Sequence, residues 1–264
     1  IVVYAIIRKF ASPESALETY ISLTILVTFM AGVIKLLMGL AKMGKLVNFV
    51  SHSVIIGFAA GAGFLITFKQ LKHVFGIDVP LGSSVYEIFT YIIFNISDTN
   101  FYVLGVALVT LCIAILIKNF LKFMARLHML IAMIVGSFIA LALGGEANGI
   151  ETVGFIPSHL PPFNIPDFSI DNMVMLSSGA LTLALLGLVE AVSIARSISL
   201  YSNQKLENNK EFIGQGLTNI ISSFFSSYAS SGSFTRTSVN YQAGAKTPLS
   251  SIIAAVGLML IVLF

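Results

Sequence analysis

An all-α polytopic membrane protein is the fold class that three features of this chain predict. The composition is 56% hydrophobic and only 10% charged over 264 residues, against roughly 25% charged in soluble domains. The mean hydropathy is +0.93. Apolar runs of about 20 residues, the length a helix needs to cross hydrocarbon, recur along the chain with few charges inside them. The net charge of +3 points to lipid headgroups rather than nucleic acid. The single cysteine, Cys112, lies inside an apolar run and cannot form an internal disulfide; lipid contact or packing accounts for it.

A first apolar segment ends at Arg8 and Lys9 and is followed by the turn-like "ASPES". A second span runs from Leu17 to Leu40, interrupted by Lys35, and breaks at "AKMGK". A third begins near Leu46 and reaches Leu71 through "VIIGFAAGAGFLITF". The glycines from Gly57 to Gly63 lack the strand and distant acid of a nucleotide loop, so they are expected to let two helices approach closely. "GIDVPLGSS" is a loop and "VYEIFTYIIF" a short amphipathic helix. Spans from Phe101 to Ile117 and from His128 to Leu143 follow. The stretch from Gly144 to Asp171 holds prolines and acids but no Lys or Arg, the pattern of an external loop. A sixth span starts near Met173 and continues past Glu190 towards Ser199. After the polar "YSNQKLENNKEF" comes a seventh, from Ile213 to Phe225, and a final span runs from Leu249 to Phe264. The chain opens and closes inside apolar runs, so it is expected to be the excised core of a longer polypeptide, without a soluble domain.

Positive charges set the expected orientation. Lys42 and Lys45; Lys118, Lys122 and Arg126; Arg196, Lys205 and Lys210; and Lys246 fall in alternate loops, diluted by Arg8, Lys9, Lys69 and Lys72 in the others. The first set is expected in the cytoplasm and the loop from 144 to 171 outside.

Glu190 stands alone in "ALTLALLGLVEAVSIARS". A carboxylate at membrane depth is costly, so it is expected to face a cavity or a partner and to serve function; a structural ion pair is the alternative. Arg196, six positions on, lies on a different helix face, which leaves Arg236 as the better partner. Between two lipid-compatible stretches lies "ASSGSFTRTSVNYQAGAKTP". It is too polar to face lipid, and irregular backbone at membrane depth survives only where protein buries it or water lines it. An extended segment around Ser230 to Ser233 is therefore expected, followed by a half-length helix ending near Gly244. Such a helix begins with amides that have no intrahelical acceptor and carries partial positive charge there, so it favours anions. Arg236 adds a fork of donors suited to oxyanions. Ser233 and Thr235 can either cap the helix or touch the ligand. Gln215, Asn240 and Gln242 are expected to pack between helices. His52 and His128 start helices, His73 and His159 lie in loops, and none is spaced for a metal.

At these residues the chain resembles the SulP family, the sulfate-permease-type anion transporters. "LVNFVSHSVIIGF", "LVEAVSIARS" and "GQGLTNIISSFFSSYASSGSFTRTSVNYQAGAKTPLSSI" are similar to that family's recurring segments, and the likeness covers essentially the whole chain. The resemblance implies two inverted seven-segment repeats forming a core and a gate domain. Residues 1–264 would be an incomplete transmembrane domain, from the end of segment 3 to segment 11. It further implies secondary active transport by alternating access of a small anion (sulfate, bicarbonate or related) across the plasma (inner) membrane, with a homodimer in the full-length protein. The anion would lie between facing half-helices, held here by Gly232, Ser233, Phe234, Thr235 and Arg236, with the amides of Ser233, Phe234 and Thr235 meeting it. Glu190 corresponds to an acid thought to mark a coupling site for a sodium ion or a proton. The facing half-helix would lie upstream of Ile1, and the last three segments and a cytoplasmic STAS domain beyond Phe264. A uracil-type permease of the same fold and a non-transporting relative stay as alternatives. An enzyme would need a group paired with Glu190, so no catalytic residue, cofactor or metal ligand is expected.

Overall fold

The computed structural model describes residues 2–10, 17–45, 52–80, 83–121, 124–154, 157–202 and 204–263. They form two compact units, Ile1–Ile55 with Ser158–Phe264, and Ile56–Pro157. Among the described residues every regular element is helical. In chain order these are α1 (Val2–Ile7), α2 (Leu17–Leu40), α3 (His52–Phe75), α4 (Val85–Phe94), α5 (Phe101–Phe120), α6 (His128–Ala142), α7 (Ile170–Ser202), α8 (Asn208–Ser223), α9 (Phe234–Gln242) and α10 (Leu249–Leu263). Leu17–Leu40, Phe101–Phe120 and Ile170–Ser199 are each long and apolar enough to cross a membrane, and His128–Ala142 and Leu249–Leu263 are shorter apolar helices. Helix formation satisfies every backbone group inside the segment, which hydrocarbon requires.

In the first unit α2 is the central strut, packed most extensively on α8 and next on α7. Glycine makes the α2–α8 approach close. A Cβ on Gly32 would sit 2.7 Å from the Ile220 nitrogen, one on Gly39 2.9 Å from the Ile213 nitrogen, and one on Gly216 2.5 Å from the Leu36 nitrogen. Helix association in lipid relies on such backbone contact, since apolar side chains gain little by leaving lipid for protein. Around it Ile7, Leu26, Val27, Ala31, Leu176 and Ala180 form the apolar core. Thr24 and Thr28 are buried there too. Their hydroxyls donate to the carbonyls of Tyr20 at 2.8 Å and Thr24 at 2.7 Å, which removes the cost of burying them.

Backbone and side-chain hydrogen bonds tie both ends of this unit. At one end the Asn164 amide donates to the Phe224 carbonyl at 2.7 Å and the Ser226 hydroxyl to the Pro162 carbonyl at 3.1 Å. At the other end the Gly44 amide donates to Asn209 Oδ1 at 2.8 Å and Asn208 Nδ2 to the Gly44 carbonyl at 3.0 Å.

The second unit holds most of α3, with α4, α5 and α6. Gly76, at φ +63°, ends α3 in the left-handed region that glycine tolerates. The next stretch is tied back by the Ile77 amide on the Lys72 carbonyl at 3.0 Å. Asn100 caps α5 by accepting from the amides of Tyr102 and Val103 at 3.0 and 3.3 Å, and donates to the Asn148 carbonyl at 2.8 Å. Ser84 and Glu87 form a reciprocal capping box on α4.

Two expectations need correction. Gly57, Gly61 and Gly63 are exposed, and among the described residues nothing lies within 4 Å of a Cβ added to any of them. The close helix approach is made by the glycines of α2 and α8 instead. The seventh segment begins at Asn208 rather than Ile213, because its polar first turn anchors to Gly44 while Phe212 is already buried. The expected start of the third segment, at Leu46, lies outside the described residues.

Candidate functional site

Helix α8 stops at Ser223, the chain turns, and residues 227–233 run without regular structure before α9 starts at Phe234. This is the break expected of the polar stretch. Its residues from Ala229 to Ser233 are half-buried, so their backbone groups need partners. Asn219 of α8, fully buried, supplies two. Its Oδ1 accepts the Ser230 amide at 2.7 Å, and its Nδ2 donates to the Ser230 carbonyl at 3.0 Å and to the Gln215 carbonyl at 2.8 Å. The side-chain amide pairs with Ser230 as a neighbouring strand would. The Ser230 carbonyl also accepts from Lys35 Nζ at 3.1 Å, and the Ser231 hydroxyl donates to the Gly187 carbonyl on α7 at 2.9 Å. At Gly232 a Cβ would sit 2.7 Å from Ile194 Cδ1 and 3.4 Å from Ala191 Cα, so glycine lets the chain pass close to α7 without a shift of the Ile194 side chain.

Ser233 then caps α9, with extended φ −134° and ψ 116°. Its hydroxyl accepts the Arg236 amide at 3.3 Å and lies 3.2 Å from Thr235 Oγ1. Its carbonyl accepts the Thr237 amide at 2.9 Å. The open alternative at Ser233 thus resolves towards capping. The amides of Phe234 and Thr235 have no acceptor among the described residues. Thr235 and Arg236 are exposed at this terminus. Helix α9 ends before Gly244, at φ +100°, and Asn240 donates to Ser250 Oγ on α10 at 3.0 Å, the helix-packing role expected of it. Gln242 is exposed.

Glu190 is half-buried on α7, three residues beyond Gly187. It forms no ion pair with Arg236. Its charge acts on Lys35 instead, although the two form no ion pair among the described residues. Lys35 was visible in the sequence only as an interruption of the second span, yet it is 1% exposed. Its depth in an apolar helix was the signal that could have singled it out. Gly232, Ser233, Phe234, Thr235 and Arg236 come together at one helix terminus, whereas Glu190 belongs to α7, the helix that the segment leading there passes. Among the described residues no cluster of His, Cys, Asp or Glu can hold a metal ion.

An integral, multi-pass helical membrane protein with a chain break leading into a capped short helix is built as transporters with discontinuous helices are. The chain belongs to the sulfate permease family, whose description matches residues 1–264. It is 29% identical over 272 residues to sulfate transporter 3.1 of Arabidopsis thaliana, covering 98% of this chain and 41% of that protein. The chain spans about two fifths of the length of the curated relatives it matches. Among solved structures, the transmembrane domain of the cyanobacterial bicarbonate transporter BicA is similar, with a TM-score of 0.74, 26% identity, and coverage of 99% of this chain and 65% of that one. The murine Slc26a9 anion transporter in the inward-facing state gives a TM-score of 0.76 at 22% identity, over 100% of this chain and 46% of that one. The second likeness concerns the fold, which is the helical inverted-repeat fold with core and gate domains. These relatives are transporters, not enzymes.

Proposed function

We propose that the full-length protein is a secondary transporter of small anions, sulfate or bicarbonate first among them, working by alternating access. The anion binds at the N-terminus of α9, on the amides of Phe234 and Thr235, with Ser233 and Gly232 shaping the approach and Arg236 supplying charge. The observation that carries this reading is the broken chain itself: residues 227–233 deliver a helix terminus with two unpartnered amides beside an exposed arginine. A helix start concentrates partial positive charge, and backbone donors accept any oxyanion of suitable size. In this reading the unit carrying α9 is the core and the unit around α5 and α6 the gate. Glu190 marks the place of a coupling sodium ion or proton. The names of the relatives, transporters of sulfate and bicarbonate, support the substrate class. The full-length protein would work as a homodimer in the plasma (inner) membrane.

The test is uptake of labelled sulfate, bicarbonate and uracil into proteoliposomes of the full-length protein. Thermal stability across the same solutes, with chloride and nitrate added, is measured alongside. Anion uptake and anion-dependent stabilisation are expected in the wild type. Both should fall at least tenfold in Arg236→Ala, whose exposed side chain is dispensable for folding. Uracil uptake alone would favour a nucleobase permease. Stabilisation by no anion, together with an Arg236→Ala variant equal to wild type, would remove the assignment.

A further inference from the structure

The buried ammonium of Lys35 has no part in the anion binding proposed above, and its surroundings are specific. It lies on α2, 1% exposed, and reaches across α7 to donate to the Ser230 carbonyl at 3.1 Å. It passes where α7 has no side chain: a Cβ on Gly187 would lie 2.7 Å from Nζ and 3.1 Å from Cε. Glu190, on the same helix, is near enough for its charge to act on Lys35, without forming an ion pair with it. An ammonium removed from water is costly unless paired and hydrogen-bonded. Helix α9 itself buries no residue and packs chiefly on α7, so its placement depends on how the preceding segment is fixed.

We propose that Lys35 is a positioning residue for the anion site. Its ammonium fixes the Ser230 carbonyl, and through residues 231–233 it sets where the first amides of α9 point. Its ammonium also places a positive charge behind the segment that leads to that terminus. Gly187 is the opening that admits it. This inference rests on the anion-binding reading of α9 and assigns to Lys35 an effect on affinity rather than on the transport cycle.

The experiment uses the full-length protein in proteoliposomes, with sulfate and bicarbonate as probes. It reads KM and maximal rate from uptake and apparent Kd from anion-dependent thermal shifts. Lys35→Gln is expected to raise KM and Kd at least fivefold while the maximal rate changes less than twofold. Gly187→Ala keeps the lysine but displaces its ammonium, so it should raise KM and Kd similarly; it also serves should Lys35→Gln fail to fold. The double variant should be no worse than either single one, because both remove the same interaction. A folded Lys35→Gln or Gly187→Ala protein with wild-type KM and Kd overturns the proposal, as does a double variant whose effects simply multiply. Arg236→Ala in the same assay separates the two readings. If Arg236→Ala loses anion binding while the Lys35 and Gly187 variants match wild type, only the role of Lys35 falls. If no anion binds and Arg236→Ala changes nothing, both fall.

Discussion

Asn219 shows how one buried side chain can stand in for missing secondary structure. Ser230 has left α8 and not yet reached α9, so its amide and carbonyl lack the partners that helix neighbours provide. The Asn219 amide supplies an acceptor at 2.7 Å and a donor at 3.0 Å. Asn219→Ala should leave the Ser230 amide unpaired at depth, at a cost of about 2 kcal/mol, seen as a lower melting temperature in detergent. Asn219→Asp should be as damaging, since it keeps the acceptor but loses both Nδ2 bonds and buries a charge; equal stability of Asp and wild type would contradict the clamp. The sequence revealed Ser233 and Arg236 because polar residues stand out between apolar stretches. Lys35 and Asn219 were not legible as a pair of clamps. Their shared partner is a backbone carbonyl, 195 positions from Lys35, and a carbonyl leaves no mark in the residue types.

At the scale of helices the extents are legible in the sequence, and membrane physics explains why. A spanning helix satisfies its own backbone, so its extent follows from local hydropathy: Leu17–Leu40 and Val85–Phe94 have the bounds that pattern indicates. Which face of a helix meets a neighbour is not local. The small residues of α3 were expected to bring two helices together, whereas Gly32, Gly39 and Gly216 do so between α2 and α8. Gly216→Ala is the direct test. Its Cβ would lie 2.5 Å from the Leu36 nitrogen, and backbone cannot yield as a side-chain tip can. The variant should lose about 1–3 kcal/mol through overpacking, although alanine is the better helix former. A melting temperature equal to or above wild type would mean that α2 and α8 do not approach so closely.

The whole chain carries its orientation in its charges, and the first unit allows a test that does not depend on anion chemistry. Asn208 and Asn209 join Gly44 at one end of that unit. Lys246 lines a cavity there with Ser202 and Gln204, so Lys42, Lys45, Lys205, Lys210 and Lys246 gather at one end. The other end, where Pro162 and Asn164 meet Phe224 and Ser226, belongs to a stretch without Lys or Arg from Gly144 to Asp171. Among the described residues of this unit Arg8 and Lys9 run against this separation, as Lys69 and Lys72 do in the sequence beyond it. Cytoplasmic loops hold the excess of positive charge, so the lysine-rich end should face the cytoplasm. Residues 227–233 then descend from the outer end, and α9 continues towards the inner one. In a Cys112→Ser background, Ser158→Cys should react with an impermeant maleimide added to intact cells, and Lys205→Cys only after permeabilisation. The reverse pattern would invert the protein in its membrane. Labelling of both from one side would break the unit's two-ended architecture, because Ser158 and Lys205 are separated by the full length of α7, a helix of 33 residues that at about 1.5 Å per residue is longer than the hydrocarbon is thick.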